Sequence, residues 1–93
     1  MKSYTHAGVS KLNGVLKVRY ANSWDRVKVL KKCGHTDIDM VELKYPSTKE
    51  DAIAFLLLID FANGNIRVRD VIEAEAIKRG VTLLGPSPEL EMA

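Results

Sequence analysis

Residues 52 to 62 read Ala52-Ile53-Ala54-Phe55-Leu56-Leu57-Leu58-Ile59-Asp60-Phe61-Ala62. Hydropathy alone does not decide between a buried strand and a helix for such a run. The flanks decide it. Ser47-Thr48-Lys49-Glu50 has the spacing of a capping box, in which the serine oxygen accepts from the third helical amide and the glutamate reaches back to the serine amide. Glu50 and Asp51 stand in the first turn, where the helix dipole favours negative charge. Pro46 precedes the cap, and Asn63-Gly64 supplies the left-handed conformation that ends a helix. A helix from about Ser47 to Asn63 follows, and its stretch Ala52 to Ala62 is apolar on every face except at Asp60. Such a helix needs cover on several sides. In a chain of 93 residues the cover comes from the rest of the chain, from a second copy, or from both. Phe55, Leu58, Ile59 and Phe61 are therefore the expected oligomer interface.

Ninety-three residues with 46% apolar and 28% charged side chains describe one small globular domain that needs no metal or disulfide to hold a core. The longest apolar run is eight residues, against roughly 20 needed to span a bilayer. No membrane partner is expected. The opening residues, Met1 to His6, lack the apolar core of a secretory signal. A single cysteine, Cys33, precludes an internal disulfide and suits a reducing cytoplasm. The net charge of +2 hides an asymmetry: Met1 to His35 carries eight basic residues and one acidic, whereas Thr36 to Ala93 carries six basic and eleven acidic. Either the basic half meets an acidic partner such as nucleic acid, or the halves neutralise each other within the fold or across a dimer.

Along the chain, residues 1–10 lack periodicity and read as a loose basic arm. Asn13-Gly14 signals a turn. Leu16, Val18 and Tyr20 then alternate with Lys17 and Arg19 as a short strand with one apolar face. Ser23 offers a cap for a helix with Trp24, Val27, Leu30 and Cys33 on one stripe, Lys28, Lys31 and Lys32 turned outward and Gly34 at its end. Val41, Leu43 and Tyr45 alternate with Met40, Glu42 and Lys44 as a second strand, closed by Pro46. After the apolar helix, Ile66 to Arg79 forms another, with Val68, Val71, Ile72 and Ala76 on its stripe and Gly80 beyond it. Val81 to Leu84 could add a short strand. The order strand-helix-strand-helix-helix makes the fold class α/β (α+β): a small two-stranded sheet, parallel across the first helix, packed on the apolar helix and completed by dimerisation. The domain is expected over residues 1–84. Gly85-Pro86-Ser87-Pro88 onward, residues 85–93, reads as a flexible tail.

Residues able to carry chemistry are few. Cys33, His35, Asp37 and Asp39 alternate, and on an extended backbone all four would leave one face as metal ligands. Gly34 breaks that extension, and a single strand cannot wrap a tetrahedral ion. Cys33 and His35 are too close in sequence for the usual thiolate–imidazole pair, and Cys33 falls on the stripe assigned to the core. Gly34, Gly64, Gly80 and Gly85 each stand at an element boundary and form no phosphate cradle. No cofactor is expected, no catalytic residue stands out, and the reading is non-enzymatic. A small enzyme or metal protein built on the Cys33/His35/Asp37 region is the furthest alternative.

Three features over residues 38–79 carry a family resemblance. They are the strand Val41-Glu42-Leu43-Lys44 running into Pro46, the Asn63-Gly64 break between two helices, and the stretch Gly64-Asn65-Ile66-Arg67-Val68-Arg69-Asp70-Val71-Ile72-Glu73-Ala74-Glu75-Ala76. Together they resemble the ribbon-helix-helix family of DNA-binding repressors. The resemblance implies strands of two chains paired into an antiparallel ribbon that enters the major groove. Met40, Glu42 and Lys44 would then face DNA, and the amides near Arg67 and Val68 would hold a phosphate. The chain departs from the family's pattern at Glu42, at Val68 and in the greater length of its first helix. Arg26, Lys28, Lys31 and Lys32, with Lys44 and Arg67, are the candidate contacts to nucleic acid or another acidic partner. The leading expectation is a cytoplasmic homodimer that binds a protein partner in an interaction or regulatory role, with the DNA-binding repressor as its alternative.

Overall fold

The structure, a computed structural model, describes residues 3–81. Six elements follow in the order β1 (Tyr4–Leu12), β2 (Val15–Ala21), α1 (Trp24–Lys32), β3 (Thr36–Ser47), α2 (Lys49–Leu58) and α3 (Ile66–Lys78). The class is mixed α/β. One antiparallel sheet has the strand order β2-β1-β3. Residues 4–10, expected as part of a loose arm, belong to its central strand β1, so the sheet has three strands and β2 and β3 are not parallel neighbours. The tail residues 85–93, and most of the short strand expected over Val81 to Leu84, lie outside the described residues.

Local chemistry explains the elements. Asn13 and Gly14 both take positive φ, 54° and 79°, the two-residue hairpin turn whose twist matches the strands it joins. Leu12 consequently pairs with Val15 and the register runs back to His6 opposite Ala21. Ser23 caps α1 by accepting from the Arg26 amide, and Asn65 caps α3 by accepting from Val68. For α2 the cap is Thr48, which accepts from the Asp51 amide. Ser47, the expected cap, belongs to β3 and donates to the Tyr45 carbonyl instead.

All three helices close in the same way, with a residue of positive φ just past the end. Gly34 and Gly80 do this for α1 and α3 as expected. α2 stops five residues before Asn63, because Asp60 takes the left-handed conformation at φ 51°. The Phe61 amide then donates to the Leu56 carbonyl and the Asp60 amide to that of Leu57, the paired bonds of a Schellman motif.

Strand alternation sends β1 to two different environments. Ala7 and Val9 face the α2–α3 hairpin and join Leu43, Ala52, Ile53, Leu56, Ile72 and Ala76 in the core. Leu16, Val18 and Tyr20 of β2 pack against the same cluster. In β3 the alternation does not persist to Tyr45, which is 63% exposed. Between the His6–Glu42 and Tyr4–Ser47 pairs β3 has extra residues, and this irregularity turns Ser47 inward in place of Tyr45. The other side of β1 presents His6, Gly8 and Ser10. A side chain at Gly8 would collide with the Asp39 carbonyl oxygen, so β3 lies against bare backbone there.

Candidate functional site

Four side chains were expected at an oligomer interface, and the structure divides them. Phe55 and Phe61 pack against the core cluster, while Leu58 is 81% and Ile59 43% exposed. Within α2 itself only Ala52, Ile53 and Leu56 are buried. Leu58 and Ile59 are thus exposed where α2 runs out, and Ile66 is exposed at 72% at the start of α3, while Tyr45, Val15 and Ile77 are exposed elsewhere in the chain. The α2–α3 hairpin covers the sheet with one face and carries exposed hydrophobic residues at its turn.

The opposite face of the sheet is polar. α1 lies over it without burying any residue of its own. Trp24 is 48% exposed and meets the His6 ring edge-on at 4.3 Å between centroids. Cys33 is exposed. The stripe expected to fill a core thus makes only a thin cover. Beneath it, the fully buried Ser10 hydroxyl lies 2.8 Å from His35 Nδ1 and accepts from Arg19 Nε at 2.9 Å. His6 Nδ1 is 2.7 Å from the Thr5 hydroxyl, and its buried Nε2 has no hydrogen-bond partner among the described residues.

The residues considered for metal or nucleophilic chemistry part company. Gly34 at φ 93° ends the extension the four would need. His35 follows it, its amide donating to the Leu30 carbonyl and its ring turned to Ser10. Asp37 lies 3.5 Å from Lys11 in an ion pair. Among the described residues no three His, Cys, Asp or Glu side chains converge as a metal site would require.

Arg26, Lys28, Lys31 and Lys32 are all exposed on α1, as are Lys44 on β3 and Arg67 on α3. Arg67 lines a hollow of about 420 Å³ with Lys11, Asp37 and Asn65, far along the chain from the α1 row. Met40 and Glu42 stand opposite Gly8 and His6, on the sheet face that α1 crosses.

A third arrangement had no counterpart in the sequence reading. Tyr20 donates to Glu75 at 2.8 Å, and Arg79 donates to the same carboxylate oxygen. Burial raises the Tyr20 phenol well above its usual pKa, and the Glu75 hydrogen bond and charge add to the effect. Burial would raise Glu75 as well, but the hydrogen bonds from Arg79 and Tyr20 outweigh it and hold the carboxyl below its ordinary value. Lys49 projects its ammonium over the Tyr4 and Tyr20 rings, 5.7 and 5.4 Å from their centroids. Glu75 and Arg79 are one helical turn apart, a pairing that sequence spacing can show; their meeting with Tyr20, fifty-five residues from Glu75, is a product of the fold. No protein-family model, no curated protein and no solved structure matches this chain.

Proposed function

We propose that this protein is a small non-enzymatic interaction module of regulatory kind, which works as a homo-oligomer and binds a protein partner. The observation that carries the reading is Leu58, 81% exposed beside Ile59 at 43%, at the end of a helix whose residues from Ala52 to Leu58 are all apolar. Burying one leucine contributes roughly 1.5–3 kcal/mol, and a second copy of the same hairpin is an apolar surface that could supply the burial symmetrically. His35, the base nearest Cys33 in sequence, is engaged with Ser10, which supports a role without catalysis. The exposed thiol of Cys33 supports placement in a reducing cytoplasm. Among the described residues no helix is long and apolar enough to cross a membrane.

The test is native mass by sedimentation at micromolar concentration. Wild type sediments above monomer mass, and Leu58→Lys lowers that mass while the helical circular dichroism is retained. A monomeric wild type at that concentration overturns the reading.

A second reading, a ribbon-helix-helix-like DNA-binding repressor, is supported by the exposed basic row of α1, with no carboxylate within 4 Å of Arg26, Lys28, Lys31 or Lys32 among the described residues. It is also supported by the outer edge of β3, which no strand of the described chain pairs and which a second copy's β3 could meet. It requires a duplex shift that weakens steeply with salt and is lost on Lys44→Ala.

A further inference from the structure

β2 is the other edge of the sheet, and a groove of about 430 Å³ runs between it and α3. Leu16, Val18 and Val71 give the groove an apolar floor, and Lys17, Lys49 and Lys78 stand on its rim. Among the described residues none of these three lysines has a carboxylate within 4 Å. Lys49 is held over two tyrosine rings instead of by an acid, an arrangement that leaves its charge available. The single acid of the lining, Glu75, is answered by Arg79 and Tyr20, so the groove presents an excess of positive charge.

An edge strand also presents backbone N–H and C=O groups that its own sheet does not pair. The side chains of β2 that face α3 are only half-buried, whereas Ala7 and Val9 of central β1 are sealed. A strand laid beside β2 would bring alternate side chains down onto Leu16 and Val18 and send the others to the Lys17 side of the sheet. We infer that this edge docks an extended peptide segment of a partner protein, apolar and acidic at alternate positions, as a fourth strand next to β2. The surface is separate from the hairpin turn, and the inference stands whether or not the chain associates through Leu58.

The probe is a fluorescein-labelled peptide of alternating glutamate and valine, roughly nine residues long to match an ordinary strand, titrated into the full-length protein and read by anisotropy. It binds saturably. Its counterpart with lysine for glutamate does not. Lys17→Glu, on the face that the glutamates reach, weakens it about tenfold or more, the equivalent of 1.4 kcal/mol. Methylating alternate backbone nitrogens of the peptide abolishes binding in one of the two phases, because only one set of amides faces β2. Leu58→Lys leaves the affinity unchanged, which separates this edge from the oligomer surface. Equal binding of the lysine peptide, indifference to both methylation phases, or no binding at all overturns the inference. So does slow hydrogen exchange of all the β2 amides in the free protein, which would mean that residues 82–93 or a second copy already fills the edge.

Discussion

The two faces of β1 are built by different physics. Toward α2 and α3, Ala7 and Val9 enter a sealed apolar cluster in which Ile53, Leu56 and Ile72 are essentially inaccessible to water. Toward α1, the alternate residues His6 and Ser10 are just as deeply buried, yet their neighbours are an arginine, a second histidine and an indole edge. The first face is held by removal of apolar area, which is additive and tolerant of direction. The second is held by a few directional bonds under a helix that buries nothing of its own. Cooperative stability should therefore reside on the hairpin side, and the α1 side should be able to open with little effect on the rest.

The sharpest way to break this contrast is to empty the apolar side. Leu56 is fully buried at the middle of the cluster, where truncation removes transfer energy and leaves a cavity. Leu56→Ala should lower unfolding free energy by about 2–5 kcal/mol, read from urea midpoints with unchanged slope. A loss of under about 1 kcal/mol, the range of well-tolerated core swaps, would mean that this face is not where stability lies.

On the α1 side the largest available loss is smaller and of another kind. Ser10 accepts from Arg19 and meets His35 Nδ1 with the one hydroxyl. Removing that oxygen strands both partners in a half-buried setting. Ser10→Ala should destabilise by about 1–3 kcal/mol, the desolvation cost of unsatisfied polar groups. Because that cost falls on a face held by bonds, the double variant with His35→Leu should recover part of it. Additive losses in this pair would show that Ser10 and His35 do not act as a unit.

The same contrast explains what was legible in the sequence. Elements announced by strong periodicity or by caps could be read: the Leu16-Val18-Tyr20 strand, the Asn13-Gly14 turn, and α3 with Gly80 beyond it. β1 could not, because its inward side chains on both faces are small or polar (His6, Ala7, Gly8, Val9, Ser10) and give almost no hydropathy contrast. Its identity as a central strand depends on partners elsewhere in the chain. α2 failed in the opposite way. With every position from Ala52 to Ile59 apolar, the sequence could not say which residues would be inside, and Phe55 and Phe61 went to the core while Leu58 and Ile59 did not. Its end was misplaced because Asp60 takes the left-handed conformation that Asn63-Gly64 advertised more strongly. The Ser10, Arg19 and His35 network left no local trace, since Ser10 and His35 are twenty-five residues apart.

The finest test applies one chemical change to both sides. Thr48 and Ser23 cap α2 and α1 by the same bond, a hydroxyl accepting from the amide three residues on. Replacing either by alanine removes one capping bond, a change of about 0.5–2 kcal/mol in the helix it starts. In α2 the helix is welded to the core through Ala52, Ile53 and Leu56, so Thr48→Ala should pass its whole cost into the global unfolding midpoint. In α1 no residue is buried, and fraying there can be absorbed locally. Ser23→Ala should speed amide exchange in α1 and reduce the burial of Trp24 seen in its fluorescence, yet leave the urea midpoint nearly where it was. Equal shifts of the midpoint in the two variants would show that α1 folds and unfolds with the core, and the division between the faces would have to be given up.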